Sequence, residues 1–129
     1  MLLLLLACSR EDYDFGDLQL DVDAAVPENA ETARMCAEGV GAREEGAGNG
    51  RLAMPGLPDV APVIITIDML DKEGVLIGRS IPATLSDSDP YVVTGFAAAS
   101  GEPCVTEGDF AAEGAPSWLL VIRFLGSGW

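Results

Sequence analysis

The sequence predicts an all-β protein, an antiparallel β-sandwich of about seven or eight short strands. Apolar and polar residues alternate strictly over 17–23, and Val63, Ile65, Ile67 and Met69 recur at every second position, the period of a half-buried strand. Glycine (15) and proline (8) break the chain at short intervals, and no segment holds the 3.6-residue period of an amphipathic helix. A small β-barrel is the alternative architecture.

The first strand is the run 17–23, with Leu18, Leu20 and Val22 inward and Asp21 and Asp23 toward water. Pro27 opens a connection, and 32–40 reads as a second strand carrying Cys36. Residues 41–50, rich in glycine and charge and ending Gly48-Asn49-Gly50, read as a loop or hairpin tip. A short strand at 51–54 is followed by Pro55-Gly56-Leu57-Pro58, read as a turn because each proline removes a ladder donor.

Val63, Ile65, Ile67 and Met69 then share one face, with Thr66 and Asp68 toward water. Asp71-Lys72-Glu73-Gly74 has the residues of a type I turn with glycine in the left-handed region, and Val75 and Ile77 return along the second arm. Residues 86–90 form a loop, 91–96 a strand and 97–101 a small-residue bend, with Cys104 at a sheet edge or strand start. The last strand, 118–124, is apolar on both faces apart from Arg123, so it belongs in the middle of a sheet with Trp118 and Phe124 in the core.

The run Leu52-Ala53-Met54-Pro55-Gly56-Leu57-Pro58, followed by Val63-Ile64-Ile65-Thr66-Ile67-Asp68, resembles the middle of immunoglobulin-like and fibronectin-type surface modules. The resemblance implies an Ig-like or fibronectin-like sandwich. Trp118 and Trp129 both lie after Cys104, and Glu102 stands where immunoglobulin domains carry tyrosine, so it does not extend to the immunoglobulin family proper.

Acidic residues outnumber basic ones 21 to 7, for a net charge of −14, which argues against nucleic acid as a partner. With no histidine, neither a Ser-His-Asp nor a Cys-His arrangement can form, and the chain reads as no enzyme. The acidic pairs and triplets are Asp12/Asp14/Asp17, Asp21/Asp23 and Asp87/Asp89. No cofactor is required; if calcium binds, Asp87 and Asp89 are its candidate ligands, because a loop can wrap an ion, although no EF-hand pattern is present. Tyr13 and Phe15 are the aromatic candidates for a glycan contact.

The chain opens Met1-Leu2-Leu3-Leu4-Leu5-Leu6-Ala7-Cys8-Ser9. Leu5-Leu6-Ala7-Cys8 resembles the lipobox of bacterial lipoproteins, which implies a lipid on the Cys8 thiol, attachment to a membrane through it, and a place in the cell envelope. Ser9 after that cysteine implies outer-membrane sorting by the same resemblance. The apolar run is far shorter than the roughly 20 residues of a spanning helix. No Lys or Arg precedes Cys8, so the start codon is expected upstream of Met1.

The organisation expected is therefore a signal remnant at 1–7, an acidic tether at 8–16 and one domain at 17–129. With Cys8 lipidated, Cys36 and Cys104 form an even pair in an exported chain and read as one disulfide. The function expected is a lipid-anchored, non-enzymatic binding or structural accessory at the envelope, with an unidentified protein or glycan partner. The alternatives are a calcium- or ligand-binding adhesion module and an inhibitor of a cationic protein.

Overall fold

The alternation at 17–23 folds as β1 (Leu18–Val22), in which Leu18, Leu20 and Val22 are fully buried. The computed structural model describes residues 18–48, 50–58, 62–86, 88–106 and 117–126. Within them the chain continues as β2 (Thr32–Ala37), β3 (Gly41–Gly46), β4 (Arg51–Pro58), β5 (Val63–Leu70) and β6 (Leu76–Ser80). Then come β7 (Ala83–Leu85), β8 (Tyr91–Thr94), β9 (Phe96–Ala98) and β10 (Ser117–Phe124).

The described strands form two sheets, neither closed into a barrel. One has the order β4-β10-β1-β8, the other β3-β2-β5-β6-β9, with β7 also pairing β5. Between them lie Leu18, Leu20, Met35, Met54, Leu57, Ile65, Ile67, Met69, Leu120 and Ile122, each almost entirely buried. Burying a side chain of this size contributes about 1.5–3 kcal/mol. The expected inward set Val63, Ile65, Ile67 and Met69 is buried, as are Trp118 and Phe124, and β10 pairs on both sides.

Several expectations need correction. Most pairing is antiparallel, but β1 runs parallel to both β10 and β8, because its neighbours come from late in the chain rather than from a hairpin. Residues 41–46 form a strand instead of a loop, and the turn falls at 38–40, where Gly39 has φ 78°. The segment 55–58 does not turn; β4 runs through both prolines. An edge strand needs ladder bonds on one side only, and the register shifts between Trp118 and Leu120 opposite it.

The turn after β5 forms as read, with the Asp71 carboxylate accepting from the Glu73 and Val75 amides and Gly74 at φ 82°. Val75, however, is half exposed. Met69 pairs with Gly78 but Leu70 with Leu76, and this bulge moves the return strand by one residue. Residues 91–96 are not one strand: the chain breaks between β8 and β9, which belong to different sheets. At that corner the Ile81 amide donates to the Gly95 carbonyl, and the Thr94 hydroxyl donates to the Ile81 carbonyl. Gly78 leaves the space that the Phe96 ring occupies, 2.5 Å from where a Cβ would stand.

Candidate functional site

Cys104 is on neither a strand start nor a sheet edge. It lies in the irregular segment 99–106, which passes as a strap over the outer face of the six-stranded sheet. Its disulfide to Cys36 on β2 has a Cα separation of 6.4 Å, inside the span a disulfide can bridge.

Beside the disulfide sits Asp68 on β5, which the alternation assigns to water and the structure buries completely. Its Oδ1 accepts from Arg79 Nε at 2.6 Å, and its Oδ2 from Arg79 Nη2 at 2.8 Å and from the Cys104 amide at 2.6 Å. Arg79 stands opposite Asp68 on β6, and its Nη2 also donates to the Glu102 carbonyl. From β2, Arg34 donates through Nε to the Cys104 carbonyl at 2.6 Å and through Nη1 to Glu44 on β3. The strap is thus held on its amide, on two carbonyls and on its sulfur. The hydrogen bonds to Asp68 raise the Arg79 pKa above its ordinary value, so the clamp keeps its positive charge.

A second cluster occupies the outer face of the other sheet. Asp21 on β1, also expected in water, is 1% exposed. Its Oδ1 accepts from Arg123 Nε and Gln19 Nε2, and its Oδ2 from Arg123 Nη2 and the Tyr91 hydroxyl, both at 2.8 Å. Burial pushes the Asp21 carboxyl up, but the hydrogen bonds from Arg123, Tyr91 and Gln19 outweigh it and hold the pKa below its usual value. The bond to Asp21, helped by burial, raises the Tyr91 hydroxyl in turn. Asp21 accepts four hydrogen bonds and Asp68 three, of the four or so a carboxylate can take, which suits holding structure together and not proton abstraction.

An open groove of about 430 Å³ runs along the strap, lined in part by Arg34, Glu44, Leu70, Lys72, Glu102 and Val105. Its lining mixes both signs of charge with Leu70 and Val105, and Lys72 is the chain's only lysine.

Of the residues singled out from sequence, Cys36 and Cys104 are brought together. Asp89 is exposed in the 86–90 loop, where its amide and carbonyl bond Ser86; Asp87, its expected partner toward calcium, lies outside the described residues. So do Cys8, Tyr13, Phe15 and Trp129. Among the described residues no group of three or more acidic, cysteine or histidine side chains could hold a metal. Sequence reading missed Arg34, Asp68, Arg79, Asp21, Arg123 and Tyr91. Their signal is a lone charge in an otherwise apolar strand, as with Asp68 and Arg123, but pairing these charges requires the register.

No protein-family model, curated protein or solved structure matches this chain.

Proposed function

We propose that the chain is a lipid-anchored, extracytoplasmic module of a bacterial cell envelope, with a binding or structural accessory role and no catalysis. The observation that carries this reading is the pairing of Cys36 with Cys104. Disulfides persist in oxidising compartments, and of three cysteines this pairing leaves over the one at the end of the leucine run, Cys8. The lipobox-like Leu5-Leu6-Ala7-Cys8 supplies the anchor in this reading, and Ser9 favours the outer membrane. Within it the sandwich is of the immunoglobulin-like or fibronectin-like kind, supported by the run 52–58 and 63–68 forming consecutive strands of opposite sheets.

Two or more acyl chains, each contributing roughly 0.8 kcal/mol per buried methylene, hold a domain firmly on a bilayer. The test adds a basic n-region and further apolar residues ahead of residues 2–129, keeping the chain's own Leu5-Leu6-Ala7-Cys8 as the processing site, and compares the parent with Cys8→Ser under fatty-acid labelling and membrane fractionation. The parent takes label and sediments with membranes, and the variant does neither. Equal partition of the two would overturn the reading.

A further inference from the structure

Three charged side chains hold the strap by its backbone, and none of these bonds uses its sulfur. In the register of the six-stranded sheet Glu44 stands opposite Arg34, Arg34 opposite Asp68 and Asp68 opposite Arg79, so alternating charges form one row across β3, β2, β5 and β6. The strap crosses the strands along this row. Arg79 donates to the Glu102 carbonyl, Asp68 accepts from the Cys104 amide and Arg34 donates to the Cys104 carbonyl. Hydrogen bonds with one ionised partner are roughly twice as strong as neutral ones, and Asp68 is itself fixed by both arms of Arg79. Cys36 lies two residues along β2 from Arg34, on the same face. The backbone of Cys104 is therefore set beside Cys36 by groups that are present whether or not the two sulfurs are joined.

Loop length argues for a different pair. The chain holds three cysteines. Cys36 and Cys104 are 68 positions apart, whereas Cys8 is much nearer to Cys36 in sequence. In an unfolded chain the shorter loop closes more often, by about fourfold at these lengths. Parity selects Cys36 and Cys104 only where Cys8 is blocked.

We propose that the clamp of Asp68, Arg79 and Arg34 positions Cys104 for oxidation, so that the folded sheet selects the Cys36–Cys104 pair from three free thiols and holds it against reduction. Cys104 is the more exposed of the two residues. With glutathione disulfide as oxidant, its thiolate attacks one glutathione sulfur, the S–S bond of the oxidant breaks, and the first glutathione leaves as a thiolate. The Cys36 thiolate then attacks the Cys104 sulfur of the mixed disulfide and expels the second. Two protein thiols give up two electrons and two protons, and glutathione disulfide takes up both. Asp68 acts through the Cys104 amide and is a positioning residue. The selection works with or without lipid on Cys8, so it does not rest on the anchor.

The test equilibrates the full chain, purified reduced in non-ionic detergent, with glutathione and its disulfide. It reads the pairs by peptide mapping and the equilibrium constant of the Cys36–Cys104 bond. Under native conditions the parent is expected to join Cys36 to Cys104 and leave the Cys8 thiol free, whereas in denaturant Cys8–Cys36 leads about fourfold. Asp68→Ala is expected to lower the constant about tenfold, a shift of about 30 mV toward easier reduction. Arg34→Gln, which strands no buried carboxylate, lowers it about threefold. Asp21→Ala breaks the matching ion pair of the other sheet and leaves it unchanged, because lost stability alone does not move the constant while both redox forms stay folded. A mixture of pairs in the folded parent, equal constants in the parent and both clamp variants, or an equal drop in Asp21→Ala overturns this proposal alone. A folded parent that never joins Cys36 to Cys104 overturns it and the export reading together.

Discussion

The outer faces of the two sheets use one local device for two purposes. Each has an aspartate at the polar position of an alternating strand, Asp68 on β5 and Asp21 on β1, gripped by both arms of an arginine on the neighbouring strand. Arg79 and Arg123 are comparably exposed, with side-chain accessibilities of 38% and 44%. What differs is the third contact. Asp68 receives a backbone amide from a strap that is also bonded through sulfur, whereas Asp21 receives the hydroxyl of Tyr91, an edge residue half in water. The first face is closed by its own chain, and the second leaves its aromatic ring presented. A buried ion pair thus gains its structural meaning from what else it holds.

The comparison breaks most readily at the aspartates. Removing one partner of a buried ion pair costs about 3–5 kcal/mol, and Asp68→Ala also strands the Cys104 amide. It is expected at about 3 kcal/mol in denaturant unfolding, toward the lower end because Arg79 reaches water, with Asp21→Ala costing about half as much. Equal costs would mean that the strap contact adds nothing.

Next comes the disulfide. Its reduction should lower stability by about 2–4 kcal/mol, chiefly by freeing the unfolded chain, while Arg34, Asp68 and Arg79 keep the strap docked in the folded state. Cys36 and Cys104 should resist alkylation in denaturant until reduced. The Cys104 amide should stay protected from exchange after reduction, and its loss would show that sulfur alone holds the strap.

The smallest effect is in acid. Because the folded-state pKa of Asp21 lies below the unfolded value, the stabilisation is fully present above about pH 4 and is lost as pH falls through the lowered pKa. Unfolding free energies measured from pH 5 to 2 should fall more steeply for the parent than for Asp21→Asn. Parallel curves would remove the carboxylate from the account. Tyr91, raised in the fold, acts at the other end, its contribution being complete below about pH 10 and lost as pH rises through its own raised value.

Much of the fold is legible in local pattern. The alternation in β1 and β5, the apolar run of β10 and the Asp71–Gly74 turn each encode their conformation in a few neighbouring residues. The same alternation misplaces Asp21 and Asp68, because period two assigns a face and says nothing of what lies over it. A strap from 36 residues further on covers Asp68, and an arginine 102 residues away meets Asp21. Pro55 and Pro58 mislead for a related reason: proline forbids a central strand, and whether a strand is central depends on its neighbours.

The sequence by itself determined that this chain is all-β, which residues fill the core of its best strands, and which two cysteines remain to pair once Cys8 is set apart. These follow from short-range periodicity and parity. Only the tertiary structure decided the parallel setting of β1, the division of residues 91–98 between two sheets, the clamp on the strap and the burial of Asp21. Each of those depends on which distant strands become neighbours, and backbone hydrogen bonding is indifferent to sequence until burial and charge across the whole domain select one register.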